Sequence, residues 1–364
     1  MNPESKHSLR PKYGSKPEYE LPAPPHFDPS KAGQLWRVPY QQRASEARAW
    51  AKLHDIRSMV TDRPRICLMP IDVQNSFCLP DFELFVAGRS GRGAIDDNVR
   101  LCEFIYRNMA VITEIAPTMD THTAMQIFHE VFWINDKEEH PPPMTIISVC
   151  DVETGKWRIN PDVAANLPEN LKSGDYSSLR QYALHYVKKL EASGKYPLVI
   201  WPYHAMLGGV GHALVSIVEE ALFFHNFARH SQTGFEIKGG NPLTEHYSVL
   251  SPEVLDDVDG KPIALKNTRF SKKLLDFDAV IIAGQAKSHC VAWTIADLLG
   301  EIMFQDPKLV KKVYLLEDCT SAVVVPGVVD FTEQAEDAFK KFAAAGMNVV
   351  KSTEPMSDWP GLAR

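Results

Sequence analysis

Three side chains that could carry out hydrolysis with a thiol as nucleophile follow separate apolar segments of the chain. Asp72 comes directly after one apolar run, Lys238 ends a second, and Cys290 stands beyond a third at the start of a helical pattern. In an open α/β sheet, the loops after the strands converge at the carboxyl ends, where such sheets bind their ligands. We therefore expect an acid, a cation and a thiol to share one site as a catalytic triad.

Each of these residue types has a chemical role and a plainer structural alternative. An acid beside buried strand residues has a perturbed pKa and can act as a base, although Asp72 could instead cap a turn. A thiol at a helix N-terminus has a lowered pKa and free amides nearby for an oxyanion, whereas most cysteines are simply buried. Lys238 could hold a thiolate or lie in a solvated turn. Their common placement favours Cys290 as nucleophile, Asp72 as base and Lys238 as supporting cation.

The elements around these residues alternate between short apolar runs and helical patterns. Strands are expected at 66–71, 110–116, 198–201, 235–237, 279–283 and 312–316, with an edge strand at 348–350, and helices at 93–108, 209–229, 291–304 and 331–345. Continuous apolar strands between amphipathic helices predict a parallel sheet that is covered on both faces. The expected fold class is a doubly wound, mostly parallel α/β sheet of about six strands, a Rossmann-like three-layer sandwich.

The chain is expected to fold as one domain with an N-terminal arm. Residues 1–60 are interpreted as a proline-rich arm and a leading helix, since the prolines exclude a regular helix or a central strand at the start. Residues 61–355 are expected to form the domain that contains Asp72, Lys238 and Cys290. Within it, residues at about 140–196 interrupt the alternation with a triproline and a tyrosine-rich helix. We interpret this segment as an insertion near the site that could serve as a lid.

The composition is that of a globular protein with small-molecule partners. The 364 residues carry a formal charge of -7, which excludes the basic footprint of a nucleic-acid-binding protein. The six cysteines are scattered without a CxxC pair, which indicates a reduced, intracellular protein. No apolar run in the sequence reaches the roughly 18 residues that a membrane span requires. A cytoplasmic location is expected.

Four segments of the chain resemble, in the same order, the motifs of nicotinamidase-related cysteine hydrolases of the isochorismatase-like superfamily. They are Asp-Val-Gln-Asn-Ser-Phe at 72–77, Trp-Pro-Tyr-His-Ala-Met-Leu-Gly at 201–208, Lys-Gly at 238–239 with Tyr-Ser at 247–248, and Gly-Gln-Ala-Lys-Ser-His-Cys-Val at 284–291. Ser76 replaces an acid of the family motif. The resemblance implies the isochorismatase-like fold and a hydrolase that acts on C–N bonds other than peptide bonds.

The resemblance also implies a mechanism. Cys290 would attack an amide carbonyl while Asp72 takes the thiol proton and later activates water, and Lys238 would stabilise the charged pair. A thioester would form with release of ammonia or an amine. The backbone amides of Ala286 and Cys290 would form the oxyanion hole, aided by a cis peptide bond between Gln285 and Ala286.

A divalent metal, either zinc, iron or manganese, is the cofactor that the resemblance implies, and no organic cofactor is expected. Its ligands would be Asp120, His122 and His204, with Gln126 at the place of a further histidine in many relatives and the displaced His129 as a substitute. The alternative is a hydrogen-bonded polar cluster without metal. The aromatic residues that could line the substrate pocket, or else belong to the core, are Phe77, Trp133, Trp201 and Tyr247.

Three functions are compatible with these motifs. The first is a cysteine-dependent amidase of nicotinamide-like or other carboxamide or carbamoyl substrates, which requires Cys290, Asp72 and Lys238. The second is an isochorismatase-type hydrolase of vinyl ethers, which lacks the cysteine and works without covalent catalysis. The third is a non-catalytic binding or scaffold protein. The expected partners are a small-molecule amide and further copies of the chain in a homo-oligomer, with no nucleic acid and no membrane.

Overall fold

The structure is a computed structural model that describes residues 20–167 and 176–362 of the chain. Its strands are β1 (Ile66–Ile71), β2 (Glu114–Ile115), β3 (Thr118–Asp120), β4 (Trp133–Ile134), β5 (Ile146–Ile147), β6 (Arg158–Ile159), β7 (Leu198–Val199), β8 (Glu236–Lys238), β9 (Ala279–Gly284), β10 (Val313–Leu316), β11 (Val324–Val325), β12 (Val329–Asp330) and β13 (Asn348–Val350).

The α-helices are α1 (Tyr40–Leu53), α2 (Asn75–Cys78), α3 (Gly93–Arg107), α4 (Val149–Glu153), α5 (Pro161–Asn166), α6 (Tyr176–Ser193), α7 (Ser216–Arg229), α8 (Thr268–Leu275), α9 (Ala292–Gln305) and α10 (Thr332–Ala344). Short 3₁₀ helices lie at Pro29–Lys31, Met59–Thr61, Glu130–Phe132, Val210–His212, Pro307–Lys312 and Met356–Asp358, and a π-helical turn spans Lys287–Val291. In the described part of the chain, no helix is both long and apolar enough to cross a membrane.

A parallel sheet in the order β13-β10-β9-β1-β2 forms the centre of the molecule, with five strands among the described residues. β1 and β9 pair along their whole length and are buried at every residue. The expected doubly wound, mostly parallel α/β fold is confirmed. The predicted strand at 198–201 does not join this sheet, because β7, just after the insertion, pairs antiparallel with β5 within it.

Helices cover both faces of the sheet, and alternate strand residues enter different cores. On one face, Met69, Ile282 and Leu315 pack with apolar residues of α6, α8, α9 and α10. On the other face, Leu68 and Ile281 pack with apolar residues of α3 and α7. Successive side chains of a strand point to opposite faces, so a strand that is apolar throughout fills both layers.

A two-stranded parallel extension carries polar residues of the site next to the central sheet. Pro117 separates β2 from β3, since proline has no N–H for a ladder bond. The strand predicted at 110–116 is shorter in the structure, where β2 covers Glu114–Ile115. β3 pairs with β8 in a register that sets Asp120 opposite Lys238. The Asp72 N–H donates to the Thr118 carbonyl at 3.2 Å, which joins β3 to the end of β1.

The described part of the N-terminal arm lies on the body of the same chain. Residues 1–19 of the predicted arm lie outside the described residues. Beyond them, the Leu21 N–H donates to the Arg107 carbonyl, and the backbone of Trp36 exchanges two hydrogen bonds with the Ser216 hydroxyl. The leading helix, α1, then packs against α7.

The insertion is integrated into the core. β5 and β7 pair near its two ends, and α6 buries Tyr182 and Tyr186. The Tyr182 hydroxyl donates to the Leu243 carbonyl at 2.7 Å, and the Tyr186 hydroxyl accepts the Glu245 N–H at 3.1 Å. Residues 168–175 lie outside the described residues. The hydrogen bonds of α6 hold the insertion against the segment after β8. A lid that opens freely would not be held by such bonds.

Candidate active site

Lys238 joins the other two residues of the predicted triad in one buried cluster. Its ammonium lies 3.0 Å from Asp72 Oδ2 and 3.6 Å from Cys290 Sγ. It also lies 2.9 Å from Asp120 Oδ1 and donates to the His246 carbonyl at 2.9 Å. Asp72 is fully buried, and Lys238 and Cys290 are at most 8% exposed. The ends of β1 and β8 and the turn after β9 therefore bring together an acid, a cation and a thiol.

The backbone after β1 turns the Asp72 side chain into this cluster. Asp72 has φ +47°, a left-handed conformation that aspartate adopts more readily than most residues. The Thr118 hydroxyl donates to Asp72 Oδ1 at 2.6 Å and accepts the Asp72 N–H at 3.1 Å. These bonds hold the carboxylate so that Oδ2 faces Lys238.

Cys290 follows a tight turn at the end of β9. Gly284 has φ +109°, and a Cβ there would stand 2.1 Å from the Ile71 carbonyl oxygen, so a side chain cannot fit between the central strands. The Gln285–Ala286 peptide bond is cis, and the Gln285 N–H donates to the Ile71 carbonyl at 2.7 Å. The turn is thus anchored on β1 before the chain enters the π-helical turn that carries Cys290.

The Lys238 ammonium contacts two buried carboxylates, Asp72 and Asp120, whose pKa values are shifted in opposite directions. Burial raises the pKa of Asp72, and the Lys238 charge opposes this only in part. Burial would also raise the pKa of Asp120, but His122 and Lys238 outweigh it and hold that pKa well below its usual range. Burial would lower the pKa of Lys238, yet Asp120 and Asp72 raise it well above its ordinary value. Asp72 is therefore the more basic carboxylate of the two.

The Cys290 thiol is neutral in this environment. Burial raises its pKa well above the ordinary value, and the Lys238 ammonium opposes this shift only in part. This shift is opposite in direction to the one predicted from the helix N-terminus, because burial disfavours the thiolate. A neutral thiol needs a base before it can act as a nucleophile, and Asp72 is the carboxylate beside Lys238 and Cys290.

Asp120, His122 and His204 form a second group beside the triad. Among the described residues, they are a set whose ligand atoms all lie within 4.8 Å of one another. Nε2 of His122 lies 2.9 Å from Asp120 Oδ2, and Nε2 of His204 lies 3.6 Å from the same oxygen. Burial lowers the pKa of His122, which favours the neutral imidazole that binds metals. One carboxylate and two imidazoles could hold a zinc, iron or manganese ion.

The structure distinguishes the two candidates for a further ligand. The Gln126 amide nitrogen donates to the carbonyls of Gly239 and Asn241, so this side chain supports the loop after Lys238. His129 differs, since its buried Nε2 has no hydrogen-bond partner among the described residues. The centroid of its ring lies 5.9 Å from that of His122. His129 is therefore the better placed of the two candidates.

Three of the four predicted pocket aromatics contact residues of the site. The Phe77 ring packs edge-on against His204 with centroids 5.6 Å apart. The rings of Trp201 and Tyr247 lie 5.9 and 5.7 Å from that of His289, which precedes Cys290. The Trp201 indole N–H donates to the Tyr247 hydroxyl at 3.2 Å. These three rings therefore lie next to His204 and to His289, the residue before Cys290.

Trp133 has the environment of a core residue. It is fully buried, packs against Phe132, and donates its indole N–H to the Ile127 carbonyl at 2.6 Å. A buried tryptophan with a satisfied N–H needs no ligand to explain its position. The core interpretation fits Trp133 better than the pocket interpretation.

Two contributors to the site were not identified from the sequence. Thr118 orients Asp72, and the His246 carbonyl accepts a hydrogen bond from Lys238. A backbone carbonyl has no signature in a sequence. The only signal for Thr118 is a hydroxyl residue two positions before Asp120, which is too common a feature to identify a site.

Comparison with known proteins finds similarity at the level of solved structures. No family model matches the sequence, and no curated protein matches it. A nicotinamidase/pyrazinamidase of Acinetobacter baumanii is 17% identical with a TM-score of 0.46, covering 80% of this chain and 97% of that chain. The yeast nicotinamidase is 18% identical with a TM-score of 0.46, covering 78% and 99%. A pyrazinamidase of Pyrococcus horikoshii, solved in complex with zinc, is 17% identical with a TM-score of 0.40, covering 79% and 99%.

Proposed function

We propose that this protein is a cysteine amidohydrolase of small carboxamide or carbamoyl substrates, with Cys290 as nucleophile, Asp72 as base and Lys238 as supporting cation. The observation that carries the proposal is the position of the Lys238 ammonium, 3.0 Å from Asp72 and 3.6 Å from Cys290 in a buried cluster. Each of these groups loses hydration when it is buried, which costs free energy. A role in catalysis would account for an arrangement that costs stability.

The first half-reaction transfers the acyl group to sulfur. Asp72 takes the proton of the Cys290 thiol while the sulfur bonds to the amide carbon. The backbone N–H groups of Ala286 and Cys290 would stabilise the oxyanion that forms. The C–N bond then breaks, Asp72 returns the proton to the leaving nitrogen, and ammonia or an amine departs. Lys238 remains charged and stabilises the carboxylate and the developing thiolate.

Water completes the cycle. Asp72 takes a proton from water as the water oxygen attacks the thioester carbon. The C–S bond breaks, the carboxylic acid product is released, and the thiol recovers its proton. Phe77, Trp201 and Tyr247 would bind the substrate, since they lie beside the nucleophile and the second polar group.

Asp120, His122 and His204 fit a divalent metal, with His129 beside them. Two buried carboxylates, Asp72 and Asp120, share one lysine, Lys238. A bound cation would therefore improve the charge balance of the cluster. The buried, unpartnered Nε2 of His129, taken over the described residues, is a second observation that fits a ligand. When bound, the metal would act as a Lewis acid that orients a polar atom of the substrate or a water molecule.

The test of the proposed function is ammonia release from a panel of aromatic and aliphatic primary carboxamides. We expect the wild-type protein to release ammonia and Cys290→Ala to lose at least about a thousandfold in kcat/KM, as expected for loss of a nucleophile. Cys150→Ala is the matched control, because Cys150 is an exposed thiol. Added hydroxylamine should divert the thioester to a hydroxamate, which mass spectrometry detects.

Two results would contradict the proposal in different ways. Hydrolysis by Cys290→Ala at the wild-type rate would exclude the thiol as nucleophile and favour a non-covalent hydrolase on the same fold. The absence of ammonia from every amide, with a folded wild-type protein, would exclude the amidohydrolase itself.

A further inference from the structure

Tyr196, near the end of the insertion, contacts the turn that carries the predicted nucleophile. Its hydroxyl donates to the Ser288 carbonyl at 2.8 Å. Its ring stacks on His289, with centroids 4.5 Å apart and an interplanar angle of 24°. It also lies edge-on to Phe331 at 5.3 Å. Both residues immediately before Cys290 are therefore held by a side chain of the insertion.

The neighbouring residue, Lys195, supports the segment that contacts the catalytic lysine. Its ammonium lies 3.0 Å from Glu253 Oε2, and the Glu253 side chain is almost fully buried. The Glu253 N–H donates to the Glu245 carbonyl at 2.9 Å. His246, the residue after Glu245, supplies the carbonyl that accepts a hydrogen bond from Lys238. Tyr196 thus connects the insertion to the turn before Cys290, and Lys195 connects it to the segment that contacts Lys238.

The turn that carries the nucleophile needs support from outside because its backbone bonding is irregular. It is π-helical and wider than an α-helical turn. In an α-helix, the Ala292 N–H would bond to the Ser288 carbonyl four residues back. Here the Val291 N–H bonds to the Ala286 carbonyl five residues back, at 3.2 Å, and the Ala292 N–H bonds to the His289 carbonyl. Tyr196 supplies a donor to the Ser288 carbonyl in its place.

From these contacts we infer that Tyr196 is a positioning residue, which holds the widened turn so that the Cys290 sulfur stays beside Asp72 and Lys238. Its catalytic consequence rests on the proposed amidohydrolase function. Loss of the hydroxyl leaves the Ser288 carbonyl without that donor and allows the turn to shift. The Cys290 sulfur lies 3.6 Å from the Lys238 ammonium in the structure. After such a shift it would lie too far from Lys238 and Asp72 to react. The insertion therefore contributes to the alignment of the nucleophile.

The experiment compares Tyr196→Phe, which removes the hydroxyl and keeps the ring, with the wild-type protein. We expect kcat for amide hydrolysis to fall about five- to tenfold at nearly unchanged KM, the effect of one lost hydrogen bond. We also expect iodoacetamide to alkylate Cys290 faster, with a pH midpoint closer to the value of about 8.5 for an ordinary thiol, because a released turn admits water. Intact-mass and peptide analysis in a Cys150→Ala background measure this rate without the exposed thiol.

Tyr176→Phe is the matched control. Tyr176 also lies in the insertion and donates its hydroxyl to a backbone carbonyl, that of Ile159, at 2.7 Å. It should keep the wild-type kcat and the wild-type alkylation profile of Cys290. Tyr196→Leu, which also removes the stacked ring, should change both quantities further in the same directions as Tyr196→Phe.

Identical kcat and identical alkylation profiles in the wild-type, Tyr196→Phe and Tyr176→Phe proteins would overturn the inference. An equal loss of kcat in both phenylalanine variants without a change in Cys290 alkylation would also overturn it, since that is general destabilisation. If no protein hydrolyses any amide, the proposed function fails, whereas the alkylation profiles still decide whether Tyr196 positions the thiol.

Discussion

Lys238 is the residue on which the charges of the site depend. It contacts both buried carboxylates, and His122, which contacts Asp120 but not Asp72, accounts for the lower pKa of Asp120. A neutral thiol beside a basic carboxylate is suited to proton transfer during attack, and less suited to a permanent thiolate. The balance between Asp72 and its hydrogen-bond donors should therefore determine the pH dependence of the reaction.

Thr118→Val tests this balance, because it removes the hydroxyl that donates to Asp72 Oδ1 at 2.6 Å. That bond lowers the pKa of Asp72, whereas burial raises it. Without the bond the pKa rises further, so Asp72 becomes protonated at a higher pH and loses its function as base there. We expect the acid limb of kcat/KM to move up by about one pH unit, as expected for a lost charge-assisted hydrogen bond. A pH profile of amide hydrolysis measures the shift.

Thr113→Val provides the control for Thr118→Val. The Thr113 hydroxyl accepts the Ile66 N–H at 2.9 Å, at the opposite end of β1. This variant should lose stability to urea but keep the wild-type pH profile. An acid limb that does not move in Thr118→Val would show that the Asp72 carboxylate does not limit the reaction.

Among the structural elements, β1 and β9 determine where Cys290 lies. Their parallel register brings Ile71 beside Gly284, the last residue of β9. The chain then turns at Gln285, whose side chain donates to Asp97 in α3 at 2.9 Å. The position of Cys290 is therefore set by the contact between two central strands and by the glycine that permits it.

Gly284→Ala should be strongly destabilising, because the new Cβ would meet the Ile71 carbonyl oxygen at 2.1 Å in a backbone of φ +109°. We expect a loss of at least about 3 kcal/mol in the free energy of unfolding, or no folded protein. Urea denaturation measures this loss. Gly300→Ala is the matched control, since a Cβ at this position in α9 has no neighbour within 4 Å in the described structure. This control should gain about 0.5–1 kcal/mol, because alanine favours a helix interior over glycine. Equal stabilities would refute the steric argument.

The molecule as a whole draws the two polar groups of the site from distant parts of the chain. Asp120 belongs to both groups, since Oδ1 faces Lys238 and Oδ2 faces His122 and His204. A ligand that binds these residues only when they are assembled must stabilise the folded state. Metal binding should therefore be visible in global unfolding, independently of activity.

Thermal denaturation with zinc or manganese, and after treatment with a chelator, tests the metal group. We expect the metal to stabilise the fold by about 2.7 kcal/mol at a free concentration about 100-fold above its Kd. His204→Ala should abolish the effect. His185→Ala should retain it, because His185 pairs with Asp256 at 3.1 Å and not with this group. Equal midpoints for the metal-loaded and chelated wild-type proteins would leave Asp120, His122 and His204 as a hydrogen-bonded polar cluster.

Much of the architecture could be predicted from residue patterns. The apolar runs of β1, β9 and β10 and the amphipathic helices around them are local signals, and the parallel sheet follows from their alternation. Asp72, Lys238 and Cys290 could be selected because each follows or ends such a run. The run at 198–201 shows the limit, since an apolar segment does not specify whether its partner is β5 or the central sheet.

The tertiary structure alone decided the electrostatics of the site and its supports. Whether a thiol at the start of a helix has a raised or lowered pKa depends on its burial, and burial raises the pKa of Cys290. The hydrogen bonds of Gln126, the surroundings of His129 and the hydrogen bond from Tyr196 to the turn before Cys290 depend on segments that meet only after folding. Residue types and their spacing along the chain determine which chemistry is available, whereas desolvation and packing determine which proton moves and what holds the sulfur in place.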